Sequence, residues 1–167
     1  MWKPGARRAG SARIGSVRVS AKADYAVRAA IELAAAGGEP LSAEAIAERQ
    51  GIPQPFLQKI LHELRRARIV VSRRGRIGGH QLARPAAEIT VADVLRAVEG
   101  PLADVRGRPP EEAEYEGSAV LLQAVWIALR TNMRAVLEHV TLADLVGERL
   151  PKGIAKLADE PESWATR

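Results

Sequence analysis

The side chains with the clearest chemical potential lie between residues 54 and 84. Amide, ammonium and imidazole groups occur at Gln54, Gln58, Lys59 and His62. Such groups can hydrogen bond to base edges or contact phosphates. Three arginines follow in a glycine-containing stretch, at Arg73, Arg74 and Arg76. Both sets together are typical of a surface that recognises a polyanion.

The spacing of apolar residues predicts a helix that presents the first set. Four of them fall at i, i+3, i+4 and i+7 and form one apolar face: Leu57, Ile60, Leu61 and Leu64. The remaining side chains, Gln54, Pro55, Gln58, Lys59 and His62, then point outward. Pro53 suits the first helical turn, where its missing N–H costs nothing.

The flanking residues predict a helix-turn-helix followed by a β-wing. Residues 42–50 read as a short helix with Ser42 as its N-cap, and Gly51 and Ile52 supply a turn and a core residue. Downstream, residues 69–71 are strand-like, 73–79 form a basic glycine loop, and 80–82 return as a strand. A hairpin with arginines at its tip is suited to contact phosphates or enter the minor groove of DNA.

Charge is segregated along the chain. Residues 49–84 hold nine Lys and Arg residues against one acidic residue, Glu63, whereas the net charge of the whole chain is +5. One basic block between acidic flanks indicates a single anionic partner surface, double-stranded DNA in particular. The alternative is a basic face that is only solvated.

Composition argues against several other functions. The chain has no cysteine, which excludes disulfides and cysteine-ligated metal centres. No phosphate-binding glycine motif or catalytic triad is recognisable, and the three histidines lie on separate predicted elements. We therefore expect no enzyme activity, no metal and no cofactor. No long apolar run predicts a membrane span, and the protein is expected in the cytoplasm.

The remainder of the first hundred residues completes the predicted domain organisation. Residues 1–16 form a basic extension expected to be disordered, although a start near Val17 is an equal alternative. Residues 17–100 form a winged helix-turn-helix domain. Its first helix, 20–36, begins at a Ser20 cap and carries Lys22 and Arg28, which either touch the DNA backbone or are simply exposed. Thr90 and Asp93 predict a capping box at the start of a further helix.

The distal residues predict a long dimerisation helix. Residues 101–117 read as a polar, mobile loop, residues 118–150 as the long helix and a following short helix that opens on Thr141, and residues 151–167 as a tail of unsettled structure. A heptad-type seam contains Leu122, Trp126, Leu129, Met133 and Val136. Further apolar residues beside it predict burial on two sides, by the protein's own domain and by a second copy. An internal core helix is the alternative.

These residues together resemble the Rrf2 family of bacterial winged-helix transcription regulators. The matching segments are 20–29 (SAKADYAVRA), 46–52 (IAERQGI), Arg74-Gly75 with Gly78-Gly79, 82–85 (LARP), 88–90 (EIT), 96–101 (RAVEGP), Trp126 and 141–145 (TLADL). The resemblance covers roughly residues 17–150, and the combination is more specific than any one segment.

The resemblance implies a mainly α fold with a small β-wing. It also implies a homodimer crossed through the long helix and bound to a pseudo-palindromic operator. The basic helix and wing lead us to expect a repressor. By position, Gln54, Pro55, Phe56, Gln58 and Lys59 match the family's base- and phosphate-facing helix. Arg74 matches the wing arginine that enters the minor groove.

One departure from the family concerns its iron–sulfur sensors. Those members place three cysteines in the loop that is here 102–117, which contains neither cysteine nor histidine. Cluster sensing is therefore not expected, and the signal is an unknown small molecule or protein. A small molecule near Trp126 is one hypothesis, with simple core packing of that side chain as the alternative. A different class of function is a protein-interaction module whose acidic C-terminal half binds a partner and whose DNA binding is weak.

Overall fold

The computed structural model describes residues 19–75 and 78–165, which form a mainly helical protein with one small antiparallel sheet. The predicted fold class is confirmed, while the predicted extension at residues 1–16 lies outside the described residues. The regular elements are α1 (Ala21–Ala35), α2 (Ala43–Gln50), α3 (Gln54–Arg66), β1 (Val70–Arg73), β2 (Gly79–Leu82), α4 (Val91–Glu99), α5 (Leu122–Leu137), α6 (Leu142–Val146) and α7 (Lys152–Asp159).

Side-chain caps fix where α1 and α2 begin. The Ser20 hydroxyl accepts a hydrogen bond from the backbone N–H of Ala23 at 3.0 Å, and the Ser42 hydroxyl accepts one from Ala45 at 3.1 Å. Each satisfies an N–H that the first helical turn leaves unpaired. α2 ends at Gly51 with φ 61°, a left-handed conformation that glycine adopts without steric cost. The two predicted caps and the turn glycine are confirmed.

The apolar face of α3 forms the centre of the core. Its four predicted residues, Leu57, Ile60, Leu61 and Leu64, are at most 1% exposed. They pack with Leu33 of α1 and Ile46 of α2 in one cluster of buried residues. Removing such a side chain from water contributes about 1.5–3 kcal/mol, so this cluster fixes the orientation of α3 against the rest of the domain.

The wing is anchored to the chain that precedes α2. β1 and β2 pair antiparallel, with Val70 opposite Leu82. Leu41 pairs with the wing at a single antiparallel β-bridge. Its N–H donates to the His80 carbonyl at 2.9 Å, and the His80 N–H donates to the Leu41 carbonyl at 2.7 Å. A Cβ on Gly79 would lie 2.5 Å from the Leu41 carbonyl oxygen, so the close approach requires glycine.

Two capping boxes of the same kind begin α4 and α6. Thr90 accepts from the Asp93 N–H while the Asp93 carboxylate accepts from the Thr90 N–H, as predicted. Thr141 and Asp144 repeat this arrangement. The Thr141 hydroxyl and backbone N–H hold the pKa of the Asp144 carboxyl below its usual value, which is the expected consequence of hydrogen bonds to its charged form.

The starts of α4 and α6 lie side by side and are joined through the backbone. The Val91 N–H donates to the Val140 carbonyl at 2.9 Å, and the Leu142 N–H donates to the Ile89 carbonyl at 2.9 Å. We call this pairing of 89–91 with 140–142 the clasp. The chain leaves the winged domain after α4, forms a loop and α5, and returns to the domain at the clasp.

α5 is shorter than predicted and is covered on one side only. It spans Leu122–Leu137, whereas the sequence predicted a helix over 118–140. The predicted seam residues are half-buried, and they are Leu122, Trp126, Leu129, Met133 and Val136. The adjoining apolar side is exposed, with Leu121 at 75% and Val125 at 53%.

The loop before α5 accounts for the partial burial of the seam. The Trp126 indole N–H donates to the Tyr115 hydroxyl at 3.0 Å, and Arg130 pairs with Glu111 at 2.6 Å. Pro110 is buried. Most residues of the predicted polar loop are exposed, and a few of its side chains contact α5.

The expectation that no segment is suited to span a membrane also needs correction. By length and composition alone, Gly117–Leu137 is long and apolar enough to cross one, with a mean hydropathy of 1.2 and no buried residue in that window. These apolar residues belong to a segment that includes α5, and one side of α5 is exposed in a single chain. Arg130 and Arg134 also lie in this segment.

The tail, which the sequence left unsettled, contains α7 and a short 3₁₀ turn at Pro161–Trp164. Leu157 is 52% and Trp164 is 79% exposed. The Trp164 indole N–H donates to the carbonyl of Ala158, so the turn folds back on its own helix.

Candidate nucleic-acid interface

The outer face of α3 carries the residues that the sequence predicted for base and phosphate contacts. All five are exposed, and they are Gln54, Pro55, Phe56, Gln58 and Lys59. Phe56 stands out because 57% of a large apolar side chain faces solvent in the first turn of the helix. An apolar side chain there can contact a thymine methyl group, while the glutamine amides can pair with adenine.

The beginning of α3 is shaped by two prolines. Pro53 occupies the N-cap position, one residue before the predicted first turn, and Pro55 lies within that turn. No side chain caps this end of the helix, but Pro55 has no N–H and the Phe56 N–H donates to the Pro53 carbonyl at 3.0 Å. The Gln54 amide donates to the Glu44 carboxylate of α2 at 3.0 Å, which orients Gln54 before any ligand arrives. The helix dipole makes this end favourable for a phosphate.

The wing places its arginines beside the end of α3. Arg73 and Arg74 are exposed, and the Arg73 Nε–H donates to the Gln81 side chain at 3.2 Å. The third predicted wing residue, Arg76, lies outside the described residues. Between α3 and the wing runs a groove of about 460 Å³, lined by Arg65, Val70, Val71, Ser72 and Arg74.

Arg65 is a functional candidate that the sequence prediction omitted from its site. It is exposed in the last turn of α3 and faces Arg74 across the groove. Periodicity placed Arg65 after the apolar face but did not indicate that the wing folds back toward it. The run of Arg65, Arg66 and Arg68 is the signal in the sequence that indicates a basic end of α3.

Several basic residues near the interface are bound within the protein instead. The Lys22 ammonium forms an ion pair with Glu63 at 2.8 Å and donates to the Val98 carbonyl. Arg28 donates to the backbone carbonyl of Gln50 and, at 2.9 Å, to its side chain. The suggestion that Lys22 and Arg28 contact the DNA backbone is therefore not supported, because they join α1 to its neighbours.

Two residues of the basic block are likewise paired. Arg84 donates to the Glu88 carbonyl at 2.8 Å and lies 3.4 Å from Asp93, and Arg49 lies 3.5 Å from Glu32. The positive surface is consequently narrower than the charge count suggested, and it centres on the end of α3 and the wing.

His80 is a half-buried residue of the wing strand β2. Burial lowers the pKa of its imidazole, the positive charge of Arg65 lowers it further, and Glu44 acts in the opposite direction. Ser72 places its hydroxyl 3.5 Å from His80 Nδ1. The neutral imidazole is thus the form that fits the folded protein.

We expect His80 to make the stability of the fold dependent on pH. The unfolded chain takes up a proton near the ordinary pKa of about 6.5, while the folded chain resists protonation until lower pH. The contribution is therefore full above about pH 6.5 and is lost as the pH falls through the lowered folded pKa. Urea unfolding at several pH values should show a smaller loss for His80→Gln than for the native protein. Parallel losses in the two proteins would contradict this role.

Comparisons with known proteins agree with this geometry. Residues 19–148 match the family model described as Rrf2, iron-dependent transcriptional regulator. The chain belongs to the Rrf2 family. The Mycobacterium tuberculosis protein Rv1287, which bears the name of an HTH-type transcriptional regulator, is 52% identical over 145 residues, covering 86% of this chain and 90% of that protein. CymR of Bacillus subtilis, another HTH-type transcriptional regulator, is 35% identical over 130 residues, covering 77% and 89%.

Solved structures of Rrf2-type regulators have the same fold. The global cysteine regulator CymR of B. subtilis superimposes with a TM-score of 0.66 at 32% identity, covering 78% of this chain and 97% of that one. IscR of T. potens gives a TM-score of 0.64 at 32% identity, covering 90% and 93%. The family description and these relatives are all named as transcriptional regulators.

The residues of this Rrf2 protein do not fit the iron that the family description names. The chain contains no cysteine. Within residues 19–75 and 78–165, no group of three or more His, Cys, Asp or Glu side chains is arranged to hold a metal ion. Iron and its clusters require such donors, so we derive no function through iron.

Proposed function

We propose that this Rrf2 protein is a sequence-specific transcriptional repressor that binds a pseudo-palindromic operator as a homodimer. The observation that carries the proposal is the placement of the exposed α3 face beside the wing arginine Arg74, on one basic surface. That surface offers side chains for base edges and side chains for phosphates at the same time.

The division of roles follows from the chemistry of each group. Gln54 and Gln58 carry amides that can pair bidentately with adenine in the major groove. Lys59, Arg65 and Arg74 carry positive charges at the edges of the face, where phosphates of the groove walls would lie. The groove between α3 and the wing would receive one sugar–phosphate strand.

A second copy is proposed to cover the exposed side of α5. Leu121 and Val125 form an apolar patch next to smaller exposed residues of the same helix, Ala124, Ala128 and Ala135. Pairing two such helices about a two-fold axis buries both patches and sets two α3 helices on one side of the dimer. Half-sites would then lie roughly 34–36 Å apart, or a multiple of that distance.

The function is tested by selecting genomic DNA fragments with the purified protein at near-physiological salt. A recurring inverted repeat is expected. Transcription from the neighbouring promoter should fall when the protein is added, since a bound dimer would block polymerase. Fragments without a shared motif, released steeply as salt rises, would contradict sequence-specific binding. Increased transcription would contradict the repressor role but not sequence-specific binding.

Replacing Arg74 with alanine should weaken operator binding roughly tenfold, a change of about 1.4 kcal/mol. The slope of log affinity against log salt should become shallower by about one. The matched control is Arg149→Ala, because Arg149 is exposed beyond α6 and does not line the groove at the wing. Fluorescence anisotropy with a labelled operator measures both quantities. Equal slopes for Arg74→Ala and native protein would remove Arg74 from the interface.

A further inference from the structure

A second cluster of arginines lies away from the proposed DNA interface. A groove of about 300 Å³ opens between α4, the loop 101–111 and α5, and it includes Arg96, Arg130 and Arg134 in its lining. The loop contributes the apolar residues Pro101, Leu102, Ala103 and Pro109. Among the lining residues, Glu111 supplies the single negative charge against three positive ones.

The arginines are held in place by two carboxylates. Glu138 accepts from Arg96 and, at 3.0 Å, from Arg134 Nε. Glu111 accepts from Arg130 at 2.6 Å. These described contacts engage one nitrogen of each guanidinium group, whereas each group has five N–H donors. The three arginines that line the groove therefore retain N–H donors beyond those that the two carboxylates use.

We propose that this groove binds a small organic anion with a carboxylate or phosphate head. Planar guanidinium groups match both oxyanions in charge and in hydrogen-bonding geometry. The apolar loop residues would contact a short carbon body, and the volume limits the ligand to metabolite size. Glu111 holds Arg130 in the absence of the anion and is displaced when the anion binds.

Glu111 can hold Arg130 in the absence of the anion because its carboxylate remains charged. Its own backbone N–H and then Arg130 lower the pKa of the carboxyl. It therefore competes as an anion at neutral pH and does not leave the groove by protonation. Glu138 is held in the same way, with Arg96 and then Arg134 lowering its pKa, and it keeps two of the arginines aligned.

The position of the groove gives a bound anion access to the rest of the protein. Arg96 belongs to α4, which packs against α1 and α3 of the winged domain. Arg130 and Arg134 belong to α5, whose exposed side is proposed to meet a second copy. An anion that pulls the three guanidinium groups together would alter how α5 lies on α4, and hence the separation of the two α3 helices in a dimer.

The proposal is tested by NMR titration of the full chain, following the arginine Nε–H signals at constant chloride and pH. Inorganic phosphate and succinate are the two probes, and they distinguish a phosphate head from a carboxylate head. We expect saturable shifts at Arg96 and Arg130 with at least one probe. Arg130→Gln should weaken that binding roughly tenfold. Glu111→Gln should tighten it roughly twofold to fivefold.

A matched control separates this groove from other positive surfaces. Arg149→Gln alters an exposed arginine that does not line the groove and should leave probe affinity unchanged. The proposal is overturned if no probe saturates, if Arg130→Gln has no effect, or if Arg149→Gln weakens binding as much. Glu111→Gln retains all three arginines, so its affinity remains decisive should Arg130→Gln fold poorly. Operator binding is assayed separately, so failure of this site leaves the proposed function standing.

Discussion

Val125→Asp is expected to yield a monomer with operator affinity lowered by about 10²–10⁴-fold. Val125 is 53% exposed on the apolar side of α5, where two copies are proposed to meet. Two carboxylates brought together at a two-fold axis would have to lose water without any partner charge. A monomer keeps one α3 helix, so it loses the gain from binding two half-sites on one DNA molecule.

The matched control is Val19→Asp, because Val19 is 75% exposed, precedes α1 and is not part of α5. Sedimentation velocity gives the oligomeric state, and anisotropy gives the operator affinity. The control should remain dimeric and bind as the native protein does. A dimeric Val125→Asp protein would show that the exposed side of α5 is not the interface.

Leu64→Ala should lower the free energy of unfolding by about 2–5 kcal/mol. Leu64 is fully buried in the core cluster formed by α1, α2 and α3, and its truncation leaves a cavity that neighbouring side chains fill only in part. Urea unfolding at one fixed protein concentration measures the change, since dimerisation would make stability depend on concentration. A loss of unfolding free energy below about 1 kcal/mol would show that neighbouring side chains fill the cavity.

Phe56→Ala is the companion variant on the same helix. Phe56 is 57% exposed, so its truncation should change stability by no more than about 0.5 kcal/mol while weakening operator binding. Loss of stability in one variant and of binding in the other would separate the two faces of α3. Similar stability losses in both would show that Phe56 packs within the fold.

The winged domain was predictable because its signals are local. The spacing of Leu57, Ile60, Leu61 and Leu64 indicated one buried face, and Ser42 and Gly51 marked where α2 begins and ends. The capping box of Thr90 and Asp93 was also predictable, because the two residues lie within one helical turn of each other. In such cases a few adjacent residues determine the backbone conformation, and tertiary contacts only confirm it.

Features that depend on distant contacts were not predictable to the same degree. The heptad pattern of α5 indicated burial on two sides but did not indicate which side the loop would cover. The loop packs on the side of α5 that carries Trp126 and Arg130. Leu121 and Val125 therefore remain exposed. Lys22 similarly appeared to be a surface charge, because its partner Glu63 lies on another helix, far along the chain.

The clasp allows the segment between α4 and α6 to change in evolution while the winged domain stays the same. Two backbone hydrogen bonds close that excursion at its base, and backbone bonds tolerate many side-chain changes. Lengthening a flexible excursion costs little, about 0.6 kcal/mol for each doubling. Insertions or exchanges between residues 101 and 139 could thus supply new signals to an unchanged DNA-reading surface, so that one scaffold serves regulators with unrelated triggers.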